Sequence, residues 1–163
     1  MMRILMSMLV AAGFMTATPL AGQTPEQWAE WGGRVHGGFG SMIAWGILVG
    51  LDASETLDAE RRQLAVEFID SPDAPCACVA DGIAIAVSAS VGQRTLSVVQ
   101  EPLPPEMIGR VKFTHRTTGR SVSYDLPTAA MVEMDRVNRE HRGADRFNAV
   151  AALDPGLLYR RIE

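Results

Sequence analysis

Val111-Lys112-Phe113-Thr114-His115, Thr117-Thr118-Gly119 and Val122-Ser123-Tyr124-Asp125-Leu126 form the stretch that decides the fold. Val111, Phe113 and His115 alternate with Lys112 and Thr114, and Val122, Tyr124 and Leu126 alternate back. Alternation with a period of two on both sides of a Gly-containing turn predicts a β-hairpin with one buried face. Pro127 ends the second strand, because proline has no amide hydrogen for the ladder. Residues 128–141 then carry charge with helical spacing, up to Gly143, and a short helix is expected near residues 145–153.

Upstream of the hairpin the signals alternate in type. Thr24-Pro25-Glu26-Gln27 is a helix start: Thr24 caps, proline suits the first turn, and Gln27 completes a capping box. This helix is expected to stop near Trp31, at Gly32-Gly33. Ser41 is read as the cap of a second helix over residues 42–57, whose first ten residues are nearly all apolar. Residues 63–70 have strand composition, and residues 95–99 read as another strand. Residues 79–90 are apolar and small, and their periodicity leaves helix and strand both open. There is no internal repeat and no long linker, so the chain reads as a single α+β domain.

The length of 163 residues fits one domain, and 47% hydrophobic residues exclude a disordered chain. Two cysteines are too few for a disulfide scaffold. A net charge of −4 argues against a nucleic-acid partner, which calls for neutralising phosphates.

Residues 1–22 read as a secretory signal peptide. Arg3 supplies the positive start, an uncharged run follows, and Thr18-Pro19-Leu20-Ala21-Gly22 offers small residues for cleavage. The run is too short to span a bilayer comfortably, so no stable membrane span is expected after its removal. The expected mature chain, residues 23–163, keeps 14 basic against 19 acidic residues, a net charge of −5. Five of the nine methionines leave with the signal, and only Met42, Met107, Met131 and Met134 remain, so a copper-chaperone reading based on methionine count fails. Export, to the periplasm or outside the cell, predicts an oxidising compartment in which thiols pair or bind metal.

Four features could carry chemistry. His36 sits in a stretch of glycines before a buried helix; Gly37, Gly38 and Gly40 would let a cofactor approach the backbone, and His36 could ligate a metal or simply bond to backbone. Cys76-Ala77-Cys78 could ligate a soft metal, cycle between dithiol and disulfide, or be one buried and one incidental cysteine. Asp81, inside an apolar run, needs a partner if buried. His115, on a hairpin strand, reads as a structural histidine.

The order of these residues resembles a family. His36-Gly37-Gly38-Phe39-Gly40-Ser41, with Gly46 and Gly50 in the helix that follows, resembles the His-Gly-His-x-Gly-Pro opening of the FmdE-like family, named for formylmethanofuran dehydrogenase. Cys78-Val79-Ala80-Asp81-Gly82-Ile83 is similar to its second signature, and Ser90-Val91-Gly92-Gln93-Arg94-Thr95-Leu96 matches a third in spacing. Gly109-Arg110-Val111 and Thr118-Gly119-Arg120-Ser121-Val122 resemble its later hairpin, so the likeness covers residues 30–126. It implies a curved sheet, mixed or antiparallel, packed by helices. It also implies a site for a divalent metal, zinc or another, with His36 and Cys78 as ligands, Asp81 as ligand or orienting group, and Cys76 as an added thiolate. The chain departs from the family where Gly38 stands in place of the second His, Ser41 in place of Pro and Ala89 in place of a Cys.

The reading that follows is an exported metal- or cofactor-binding domain. Its alternative is a non-catalytic accessory subunit of an exported redox system with a thinned metal site, whose partner is a redox protein or a small ligand. No nucleophile–base–orienter set, phosphate loop or dinucleotide fingerprint is present, so the balance is against an enzyme. The apolar helix after Ser41 suits a homodimer interface or the core equally well.

Overall fold

The computed structural model describes residues 22–162. The expected signal peptide, apart from Gly22, lies outside the described residues. Eleven elements follow in order: α1 (Pro25–His36), α2 (Ser41–Leu57), β1 (Leu64–Asp70), α3 (Cys78–Val87), β2 (Leu96–Gln100), β3 (Met107–His115), β4 (Ser121–Pro127), α4 (Ala130–Glu140), α5 (Ala144–Ala151), α6 (Pro155–Leu158) and β5 (Arg160–Ile162). The five strands form one mixed sheet in the order β2-β1-β3-β4-β5. β1 and β2 are parallel and are joined through α3; every other pair is antiparallel. Among the described residues no helix is long and apolar enough to cross a membrane.

The hairpin forms as its alternation predicts. Val66, Phe113 and Val122 lie side by side across three strands, and so do Phe68, Val111 and Tyr124, all buried. Glu67, Lys112 and Ser123 form the row between these two and face the opposite side. The sheet therefore has one helix-covered face and one polar face. The apolar start of α2 goes into this core, with Ile43, Ala44, Trp45, Ile47 and Val49 all buried, so packing within the chain accounts for it.

α2 and α3 touch at backbone level. A methyl group placed on Gly46 would collide with the carbonyl oxygen of Val79, and one on Gly82 with that of Ile43. One on Gly50 would lie 2.7 Å from the Ala86 Cβ. Only glycine allows such an approach, and it brings the start of α3 close to the end of α1. Residues 79–90, ambiguous in sequence, are helical through Val87, buried on most sides between α2 and the sheet.

Three boundaries differ from expectation. α1 does not end at Gly32-Gly33 but runs to His36. Gly32 is buried, and a side chain there would overlap the Phe39 ring, so this glycine serves a close contact and not a helix stop. The turn comes at Gly37, whose φ of 85° lies in the left-handed region. Ser41 is not a cap: Gly40 holds that position, and the Ser41 hydroxyl donates to the Met134 carbonyl at 2.9 Å. Beyond α5 the chain adds α6 and β5, which have too few residues to show a periodicity. The Trp45 indole N–H donates to the Leu158 carbonyl at 2.8 Å and fixes α6 on α2.

Candidate functional site

Two helix ends meet at the site. His36 is the last residue of α1, where the helix dipole favours positive charge, and Asp81 lies in the first turn of α3, where it favours negative charge. His36 Nδ1 is 2.7 Å from Asp81 Oδ2, with both side chains part-exposed. A carboxylate can only accept, so the hydrogen of this contact sits on Nδ1, and in the neutral imidazole that leaves the lone pair on Nε2. This carboxylate–histidine arrangement is the one that orients metal-binding histidines.

Cys76 and Cys78 are joined as a disulfide, with Cys78 the first residue of α3. The loop before them is pinned by Ser71: its amide donates to the Ile108 carbonyl, and its own oxygens accept from the amides of Asp73 and Ala74. His36, Gly40, Cys76 and Cys78 border a cavity of about 290 Å³ whose far wall is α4, with Met131, Met134, Asp135 and Asn138. Gly37 and Gly38 are outside its lining, as is Asp81, which stands behind His36.

α4 is held in place by side chains that sequence reasoning missed. Asn138 Oδ1 accepts from the Ser41 amide at 2.9 Å and so caps α2 from a distant helix. Arg146, from α5, donates to the carbonyls of Phe39 at 2.7 Å and Asn138 at 3.0 Å, tying the Gly37–Gly40 turn to α4. Burial lowers the Arg146 pKa, and its Nε is buried without a partner. The alternation of charge along 128–141 signals an amphipathic helix but not which polar residue reaches across to α2.

The structure thus brings His36, Cys76 and Cys78 to one cavity with Asp81 behind the histidine. Asp81 is part-exposed, and its partner is His36. His115 is structural: it is buried, and its Nδ1 accepts from the amides of Thr117 and Thr118.

As it stands this donor set does not fit a metal ion. The two sulfurs are bonded to each other, and among the described residues no three His, Cys, Asp or Glu side chains converge on one point. With the disulfide reduced, one imidazole nitrogen and two thiolates would border the same cavity, a donor chemistry that suits soft and borderline cations.

No curated protein matches the chain. The model of FmdE, described as molybdenum formylmethanofuran dehydrogenase operon, matches residues 35–149, more than two thirds of the chain and the whole of the segment from the end of α1 through most of α5. The helix-end pair of His36 and Asp81, the cysteine loop and the hairpin all fall inside this span, and the chain belongs to the FmdE family.

Proposed function

We propose that this chain is a non-catalytic, exported metal-binding domain of the FmdE type, whose site becomes competent when the Cys76–Cys78 disulfide is reduced. The single observation that carries the reading is the 2.7 Å contact of His36 Nδ1 with Asp81, on the edge of the cavity that both cysteines border. His36 Nε2 and the two thiolates are the donors, and Asp81 orients the imidazole. The metal, when bound, would supply a Lewis-acidic or electron-transfer centre; the chain supplies position and a partly enclosed wall.

The test is a titration of the full chain with Co(II), whose thiolate charge-transfer band reports sulfur ligation. One equivalent should bind after reduction by a phosphine, and none before. Absence of the band in the reduced protein, with two free thiols counted, would remove the reading. A second reading, an accessory protein that binds a redox partner without metal, is favoured by the disulfide itself. It predicts that the oxidised chain, and not the reduced one, retains a partner.

A further inference from the structure

The two edges of the sheet are unlike. β5, at one end, is three residues long and carries Arg160 and Arg161, and a short charged strand is a poor template for another chain. β2, at the other end, is Leu96-Ser97-Val98-Val99-Gln100, with no charge, no proline and no bulge in its pairing with β1. All of it but Leu96 is exposed, and Val98 and Val99, each 43% exposed, are adjacent large apolar side chains on the surface. The Val66 amide donates to the Thr95 carbonyl at 2.8 Å, and the Glu101 amide donates to the Asp70 carbonyl at 3.1 Å. In a parallel ladder alternate residues bond to the same neighbour, so Ser97 and Val99 also turn their amides and carbonyls to β1. Leu96, Val98 and Gln100 turn theirs outward, where no backbone group of the described residues meets them.

We infer that this edge pairs with the same edge of a second copy of the chain, antiparallel and centred on Val98, so that the two sheets become one. The occupant is a second copy because the strand is complementary to itself. A two-fold axis at Val98 sets Val98 opposite Val98, and Leu96 opposite Gln100 of the second copy. These are the residues with outward groups, so each such pair exchanges two N–H···O bonds. Every axis shifted along the strand overlaps fewer of its residues. Beyond the strand, the same register sets Thr95 opposite Glu101 of the second copy, with Arg94 next in line, and the symmetry repeats this at the other end. Arg94 and Glu101 are both exposed, and neither has an ion pair among the described residues. Antiparallel pairing thus brings together two opposite charges that the single chain leaves apart. No residue of β2 lines the His36 cavity, so the inference stands independently of the metal-binding reading.

The test is sedimentation equilibrium of the full chain, with its disulfide intact, at concentrations up to about 0.5 mM. A reversible monomer–dimer equilibrium is expected. Val98→Lys sets two lysines against each other on the axis and should leave only monomer, with the circular-dichroism spectrum unchanged. Arg94→Glu or Glu101→Arg alone should each weaken the dimer about threefold or more, since like charges then meet at both ends, and R94E with E101R should restore it to within about twofold. If V98K lowers the urea midpoint, the charge variants, both at exposed positions, decide alone. Monomer throughout the range overturns the inference and leaves the edge to a strand from another protein. A dimer of folded V98K, or charge variants whose effects add instead of cancelling, also overturns it, because either result puts the contact on another surface.

Discussion

His36 and Asp81 are 45 residues apart in sequence, yet their side chains meet at 2.7 Å because α1 ends where α3 begins. Neither residue is held by its own loop. The contact exists because α2 and α3 approach through glycine and because α1 continues past Gly32 to carry His36 that far.

If Asp81 orients His36, Asp81→Asn should weaken metal binding by the reduced protein about 10–100-fold. Its effect on stability should be small, about 1 kcal/mol or less, since the pair is part-exposed. Urea unfolding and Co(II) titration of the same variant separate the two effects. A large stability loss with intact metal affinity would make the pair a structural clasp only.

Reduction of the Cys76–Cys78 disulfide should leave the fold standing. The closed loop spans a sequence separation of only 2, so its removal relieves little unfolded-state constraint, about 1–2 kcal/mol in the chain-entropy account. A drop in Tm of roughly 3–8 °C on reduction is expected by calorimetry. Global unfolding on reduction would show that the bridge is structural and not a switch.

Gly82→Ala should destabilise by about 1–3 kcal/mol, despite the better helix propensity of alanine, because the added methyl meets the Ile43 carbonyl. Gly33→Ala, where a Cβ meets nothing within 4 Å, should be neutral or slightly stabilising. Denaturant midpoints of the two variants give the comparison, and similar midpoints would contradict the backbone contact.

Asp125 should contribute to acid sensitivity. Burial alone would raise its pKa, but Arg110, at 2.6 Å, and Arg160, at 2.8 Å, donate to its two oxygens and hold it below the ordinary carboxylate range. A carboxylate with a lowered folded-state pKa stabilises the fold above its unfolded pKa, and this stabilisation is lost as pH falls through the lower folded value. Asp125→Asn should therefore flatten the fall of stability below about pH 4, measured by urea midpoints across pH, and an unchanged slope would exclude this triad as its source.

At the C-terminal end, Asp52 accepts from Tyr124 at 2.5 Å, Tyr159 at 3.0 Å and Arg161 at 2.8 Å, joining α2 to β4 and β5. Burial, then the nearby Asp52 charge and its hydrogen bond, push the Tyr159 phenol up to about 12. Asp52→Ala leaves the Tyr124 hydroxyl without this acceptor and should cost about 1–3 kcal/mol, read by urea unfolding. An equal loss in Tyr159→Phe alone would place the effect in one hydrogen bond and not in the hub.

The legible parts of the fold are those with a local physical signature. The Thr24 capping box and the Val111-to-Leu126 alternation are written in adjacent residues, and the structure has both. Gly32 misleads because the same residue type that ends helices also lets a ring pack against a backbone, and only the position of Phe39 tells which. Of the site, His36, Cys76, Cys78 and Asp81 can be picked out by residue type and family order. Met131, Asn138 and Arg146 cannot, since each acts across a gap of about 100 residues or through a wall built by another helix.

The backbone contact between α2 and α3 has a mechanical consequence. Two helices meshed backbone to backbone at Gly46 and Gly82 cannot slide by a turn without the carbonyls of Ile43 and Val79 striking the opposing chain. They act as a fixed strut under the site. Whatever rearrangement accompanies the opening of the cysteine bridge must then be taken up by the short segment between Ser71 and Cys78, while His36 and Asp81 keep their places as a preset anchor.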